Sequence, residues 1–266
     1  MLPNTLKYSI LNLFFMVVNM QKFTGLVRRC IEDYTMIEDG ETVAVGVSGG
    51  KDSVALLCAL ANLRGYYPKK FELHAVTLDM GFEEMCFEPV ERLCAELDVP
   101  YTRRRTELGR IIFEERREKN PCALCAKMRR GALNDLVTEL NIKKIALAHN
   151  FDDALETFLL SLLYEGRINC FQPVTYMSRS GVTQIRPMLY IGEGTVRQLV
   201  NKYSLPVVPN VCPMNGASKR EEVKVLLKTL GKSYPDLKNK LFTAMQRLPL
   251  DGWAPAGGGA KRRPPP

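Results

Sequence analysis

Apolar residues gather in short continuous runs along the chain: "TVAVGV" (42–47), "LHAVTLD" (73–79) and "KIALAH" (144–149), each followed by apolar positions at helical spacing. Strands alternating with helices predict an α/β fold with a parallel sheet covered by helices. Leu133, Leu136, Val137 and Leu140 mark one helical face before the third run. Leu155, Phe158, Leu159, Leu162 and Leu163 mark another after it, and both are expected to lie on the sheet. Farther on, "QIRPM" (184–188) reads as one more strand, and residues 194–203 and 218–230 read as helices. No internal repeat is visible.

The ends break this pattern. "ILNLFFMVV" (10–18) is shorter than the roughly 20 apolar residues a membrane span needs, and no small-residue cleavage site follows it. Residues 1–22 are therefore read as a hydrophobic N-terminal extension. The Gly/Pro-rich "APAGGGAKRRPPP" closes a tail over 250–266 that is expected to be disordered and basic. With 266 residues, 46% of them hydrophobic, the chain suffices for one core and a small appendage. The expected division is a core domain over 23–212 and a helical segment over 213–249 packed on it. This is the composition of a soluble globular protein, and the chain is expected to be cytoplasmic, with no membrane partner.

Charge adds a candidate partner. The net charge is +8, and Arg103–Arg105, Arg116–Arg117 and Lys127, Arg129 and Arg130 form local basic groups suited to a polyphosphate or nucleic acid, or simply to solvated helix faces. Eight cysteines are too few for a disulfide scaffold. Cys30, Cys58, Cys86 and Cys94 stand singly in apolar or helical surroundings and read as packed thiols.

"GVSGGKDSVALL" (46–57) is the first stretch that carries chemistry. The strand ends at Val47, residues Ser48 to Ser53 turn the corner, and Val54, Leu57, Leu60 and Ala61 begin a buried helical face. Free N–H groups at a helix start, glycines that allow close approach and Lys51 together form a phosphate cradle at the carboxyl edge of the sheet. The spacing departs from the Walker pattern G-x-x-x-x-G-K-S/T: Gly46 lies too close to Gly49 and Gly50, and Asp52 separates Lys51 from Ser53. "SGGKDS" instead resembles the pyrophosphate loop of the ATP pyrophosphatases, which split ATP to AMP and pyrophosphate while activating a substrate as an adenylate.

Two further constellations follow. "NPCALCAKMRRG" (120–131) sets Cys122 and Cys125 in C-x-x-C spacing at a helix start, suited to one metal centre, a redox pair or a chance doublet. Cys212 stands before Pro213 in the polar loop "VPNVCPMNG". "AHNFDDALET" (148–157) begins at the end of the third strand and enters a helix that Asp152 or Asp153 would cap. In it, His149 reads either as a hydrogen-bonded strand-end residue or as part of a nucleotide site.

In this order, SGGKDS, C-x-L-C-x-x-x-R-R-G, A-H-N-x-D-D-x-x-E-T and Cys212-Pro213 resemble the tRNA 2-thiocytidine synthetase family, a likeness extending from Phe23 to Leu248. "MIEDGETVAVGVSGGKDS", "IRPMLYI" and "LFTAMQRL" add to it. The resemblance implies the PP-loop ATP pyrophosphatase fold, of the adenine nucleotide α-hydrolase type, with a short helical C-terminal extension. It implies ATP with Mg2+ at Gly46, Ser48, Gly49, Gly50, Lys51, Asp52, Ser53, Asp79, Arg129, Ala148 and Asp153. Lys51, Asp52 and Asp153 are implied to be catalytic, and Cys122, Cys125 and Cys212 to ligate a [4Fe-4S] cluster with one iron open. Cys170 is a candidate fourth ligand or a buried thiol. The implied partners are tRNA and a sulfide or persulfide donor such as a cysteine desulfurase, with a possible homodimer. The implied activity is sulfur transfer to a tRNA cytidine at anticodon-loop position 32. Other readings are a tRNA 2-thiouridine synthetase, a nitrogen-transferring or ligating ATP pyrophosphatase, structural zinc on the cysteines, and a persulfide relay. In this sequence "NF" stands between His149 and Asp152, where family members often carry another pair.

Overall fold

Each apolar run becomes a strand of one sheet. The computed structural model describes residues 20–82, 85–116, 121–209, 211–214, 219–247 and 253. Its strands are β1 (Glu41–Gly46), β2 (Phe71–Asp79), β3 (Tyr101–Arg105), β4 (Lys144–Ala146), β5 (Val174–Met177) and β6 (Val182–Ile185), ordered β3-β2-β1-β4-β6-β5. β1 pairs in parallel with β2 and β4, β2 with β3 and β4 with β6, while the β5–β6 edge is an antiparallel hairpin. The helices are α1 (20–33), α2 (Lys51–Arg64), α3 (Glu88–Glu96), α4 (Leu108–Arg110) running into a π-helical turn at Ile111–Arg116, α5 (Pro121–Glu139), α6 (Phe151–Glu165), α7 (Glu193–Tyr203), α8 (Lys219–Ser233) and α9 (Leu237–Arg247).

The pleat of β1 shows how both faces are filled. Val43, Val45 and Val47 join the larger core with α1, α2 and α7, and Ala44 points the other way to Val76, Leu136, Val137 and Ile145. α2 lies between the sheet and α7, so every residue from Ser53 to Leu60 is buried and the helix has no polar stripe. Burying Leu56, Leu57, Leu60 and Leu63 contributes roughly 1.5–3 kcal/mol each. From β1 the sheet grows in one direction through β2 and β3 and in the other through β4 and β6. The order therefore switches beside β1, and a crevice opens where its carboxyl end turns into α2.

Several expectations need correction. Leu162 and Leu163 do not lie on the sheet: they are 41% and 53% exposed, because the last turn of α6 extends past the layer that covers Leu155, Phe158 and Leu159. Cys30, Cys58 and Cys94 are buried, but Cys86 is exposed in the loop before α3. The strand placed at 184–188 begins at Val182 and ends at Ile185, where Pro187 is close at hand. β3 and β5 were not anticipated: their residues are half exposed and alternate weakly.

At the N-terminal end, α1 includes Met20 and buries Phe23, Val27, Cys30 and Ile31, so a boundary after residue 22 falls inside a helix. The extension over 1–19 lies outside the described residues. α8 and α9 pack on α6 and contribute Val223, Leu227, Phe242 and Met245 to the main core. Trp253 corrects the expected tail. It is fully buried, stands edge-on to Phe242 at 5.4 Å and donates its indole N–H to the Phe171 carbonyl at 2.9 Å. An indole is large enough to be held by one such cavity even beside a Gly/Pro-rich stretch. The rest of 250–266 is outside the described residues, and no helix among those described is long and apolar enough to cross a membrane.

Candidate active site at the carboxyl edge of the sheet

The turn from β1 to α2 is fastened by its own serines. Ser53 Oγ donates to the Gly50 carbonyl at 2.8 Å and accepts the Ser48 N–H at 3.1 Å, while Gly50 N–H reaches Ser48 Oγ at 3.4 Å. α2 starts after Gly50 with no side-chain cap, so its first-turn amides are left for a ligand. α6, in contrast, is closed by a complete capping box: Asp153 N–H donates to Asn150 Oδ1 at 3.1 Å and Asn150 N–H donates to Asp153 Oδ2 at 2.9 Å.

Gly49 is essential to the turn on two counts. Its φ is +83°, and a Cβ there would stand 2.7 Å from Val208 Cβ. Val208 N–H also donates to the Gly49 carbonyl at 2.9 Å. Gly49→Ala is expected to destabilise the protein by about 2–4 kcal/mol, from backbone strain and overpacking together. Thermal melting would check this, and adding Val208→Ala should recover little of the loss, because alanine keeps the Cβ that the new methyl would meet.

Lys51 lies between two carboxylates, with Nζ 2.8 Å from Asp52 and 3.2 Å from Glu193. Burial works against its charge, but these bonds leave the ammonium above the usual lysine value. Asn150 Nδ2 donates to Asp52 Oδ1 at 3.0 Å, which ties the loop to the cap of α6. Arg220 of α8 reaches Asp153 and Glu156, both at 3.3 Å, and Thr157 at 3.2 Å. Burial pushes the Asp153 carboxyl up, and it pushes Glu156 up to about 7 in spite of Arg220. Asp152 accepts the Glu193 N–H at 2.7 Å and pairs with Lys238 of α9. The two C-terminal helices thus reach the nucleotide loop through ion pairs.

Cys122 and Cys125 lie in the first turns of α5, with Pro121 opening the helix. Cys122 is exposed, and Cys125 and Cys212 are half-buried. Burial raises the Cys125 thiol, Arg129 opposes this through charge and a hydrogen bond, and Cys212 and Cys122 are both close enough to disfavour its ionisation. The three thiols therefore share one neighbourhood. Among the described residues, no three donors converge tightly enough for a single metal ion.

Other expected site residues are placed less simply. Asp79 is 2% exposed and committed within the protein: its carboxylate accepts Arg103 Nε at 3.0 Å and the Gly81 N–H at 2.9 Å. Arg103 also lies over the Phe87 ring at 5.0 Å, and Arg104 pairs with Glu139, so two of the three consecutive arginines are occupied by structural contacts. Arg117 lies outside the described residues. Ala148 is half-buried just past β4. His149 Nδ1 is shielded and lacks a hydrogen bond, with its ring 4.9 Å from Phe171; burial, then Arg186, keeps the imidazole neutral with a pKa of about 3. Cys170 turns to the Ala154 carbonyl at 3.4 Å, and burial raises its thiol to about 12.

Residues 20–209 match the PP-loop domain family. The tRNA-cytidine(32) 2-sulfurtransferase of Syntrophotalea carbinolica is 36% identical over 228 residues, 85% of this chain and 88% of that one. Its counterpart from Geobacter sulfurreducens is 34% identical over 231 residues, 86% of this chain and 90% of that one. The chain belongs to this sulfurtransferase family of PP-loop proteins. In fold it is similar to the U34-tRNA thiolase NcsA from Methanococcus maripaludis, described with its [4Fe-4S] cluster, at TM-score 0.70 and 23% identity over 87% of this chain and 79% of that one.

As a member of the sulfurtransferase family the chain shows more at its PP-loop than motif reading found. Asn150 and Glu156 lay within the "AHNFDDALET" stretch, and Asn150 three residues before Asp153 is a capping-box spacing that could have been read. Glu193, Arg220 and Lys224 had no local signal, because only the fold brings α7 and α8 to the loop.

Proposed function

We propose that this protein is an ATP-dependent tRNA sulfurtransferase that replaces O2 of a cytidine, at anticodon-loop position 32, with sulfur. The observation that carries the reading is the joint between its two chemical halves. The segment leading to Cys212 is hydrogen-bonded at Val208 to Gly49 of the pyrophosphate loop, which supports a single site shared by the cysteine segment and the nucleotide loop.

The target base leaves its stack to enter the crevice, and its O2 attacks the α-phosphorus of ATP. The bond from that phosphorus to the β-phosphate bridging oxygen breaks, and pyrophosphate leaves into the turn from Ser48 to Ser53. The free amides at the start of α2 and the Lys51 ammonium meet the charge that develops on it. Asp52 and Asp153, beside the loop, would be the carboxylates to hold Mg2+, which would supply charge neutralisation for the phosphates. Sulfide then adds at C2, AMP departs with the former O2, and the hydrosulfide proton passes to solvent.

Cys122, Cys125 and Cys212 would hold a [4Fe-4S] cluster. Three thiols in one neighbourhood fit such a group, which is larger than one ion and takes thiolates standing farther apart. When bound it supplies an open iron able to carry hydrosulfide. Sulfide or a persulfide donor supplies the sulfur, and the exposed basic residues of α5, Arg129 and Arg130, are available to RNA phosphate.

Incubating anaerobically purified protein with tRNA, ATP, Mg2+ and sulfide should release AMP and pyrophosphate and yield 2-thiocytidine in nuclease digests examined by mass spectrometry. Pyrophosphate release with no thionucleoside in any tRNA would assign the loop to another acceptor.

A further inference from the structure

Glu193 opens α7 beside the pyrophosphate loop and holds three cations. Its Oε1 is 3.2 Å from Lys51 Nζ and 3.2 Å from an Arg197 Nη, and its Oε2 is 2.9 Å from Lys224 Nζ. The residue is fixed from below, since its N–H donates to Asp152 at 2.7 Å and Asp152 is itself paired with Lys238 of α9. The helix start also favours a carboxylate here. Burial opposes the charge, but Lys224 and Lys51 hold the carboxyl at about 2, so it is ionised throughout the working pH range.

This arrangement places a competitor beside the lysine that must meet pyrophosphate. Lys51 keeps a third N–H for a phosphate oxygen, but the Glu193 carboxylate beside it repels that oxygen and shares the ammonium's charge, so full engagement with phosphate loosens the bond to Glu193. Glu193 can give it up without being stranded, because Lys224 and Arg197 remain on the same carboxylate. We propose that Glu193 is a positioning residue that yields Lys51 to the pyrophosphate moiety of ATP and reclaims it after the α–β bond has broken, and so sets how readily pyrophosphate leaves. The inference rests on the PP-loop reading of the site. It also gives α8, through Lys224, a share in product release: the more firmly Lys224 holds Glu193, the more freely Lys51 turns to phosphate.

Calorimetric titration of the full chain with pyrophosphate alone tests this apart from sulfur transfer. Glu193→Gln keeps the side-chain shape and removes the competing charge, so it should bind pyrophosphate about 5–20-fold tighter than wild type, and pyrophosphate inhibition of turnover should tighten in parallel. Lys224→Met leaves Glu193 to Lys51 and Arg197 and should weaken pyrophosphate binding several-fold. Glu96→Gln, an exposed residue of α3, controls for net charge and should change binding less than about twofold.

A residue that merely held α7 in place would give the opposite sign, with Glu193→Gln weakening pyrophosphate and raising the KM for ATP as Lys224→Met does. That result, or unchanged binding in Glu193→Gln, overturns the inference. Wild-type protein that binds pyrophosphate tightly but never thiolates tRNA overturns the functional reading instead.

Discussion

Lys51→Met is expected to lower tRNA-dependent pyrophosphate release by about 10²–10³-fold, the usual cost of removing one preorganised donor to a developing anion. Met retains most of the length and volume of the lysine and loses only the charge. The fold should tolerate this, because neither carboxylate is stranded. Asp52 keeps its bond from Asn150, and Glu193 keeps Lys224 and Arg197. Lys51 is also 30% exposed, so its ion pairs add no more than about 1 kcal/mol to stability. Melting temperature should therefore stay close to wild type while the rate falls. The KM for ATP should rise as well, since Lys51 meets the polyphosphate in the ground state before it meets the leaving group. Pyrophosphate release within threefold of wild type at saturating ATP would remove Lys51 from the chemistry and leave the α2 amides to carry it alone.

The sequence made this residue visible because everything around it is local. A buried strand, two glycines, a lysine and a leucine-rich helix follow one another within twenty residues, and each states its role through its own propensity. The sheet was legible for the same reason wherever strands are buried on both faces, as β1 and β2 are. Where burial is partial the signal faded. β3 is written "YTRRR" and reads as a basic cluster, yet Arg103 and Arg104 are drawn into bonds with Asp79 and Glu139 that only the folded chain creates.

Trp253 shows the converse. One indole among glycines and prolines reads as tail, and its value comes from Phe242 and Phe171, which lie in other segments of the chain. The ring of charge around the nucleotide loop was illegible on the same grounds: Glu193, Arg220 and Lys224 are ordinary helix residues until α7 and α8 fold against α2 and α6. Local reading thus located the phosphate cradle but not the groups that modulate it.

Cys212→Ser should separate the two halves of the reaction. Serine is nearly isosteric with cysteine, and Cys212 is only half-buried, so the segment from Val208 should stay hydrogen-bonded to Gly49 and the loop should keep its shape. An alcohol oxygen is a hard ligand, ionised with far more difficulty than a thiol, and a poor substitute on iron. Cys122 and Cys125 would remain as two ligands on the first turns of α5, and two thiolates do not retain a four-iron cluster well. Iron and acid-labile sulfide in anaerobically purified protein should therefore fall from about four of each per chain to a small fraction, with loss of the broad absorption near ~400 nm. Thionucleoside formation should fall at least about 100-fold, since on the proposed reading the cluster these cysteines would hold is what supplies sulfide. Pyrophosphate release in the presence of tRNA should stay within about threefold, because Lys51 and the α2 amides are untouched. Cys86→Ser provides the matched control: that thiol is exposed in the loop before α3, so iron content and thiolation should both be unchanged. A Cys212→Ser protein that keeps its iron and its thiolation would place the third ligand elsewhere. A protein that loses pyrophosphate release together with thiolation would mean that the joint at Gly49 and Val208 makes activation depend on the cysteine segment as a whole.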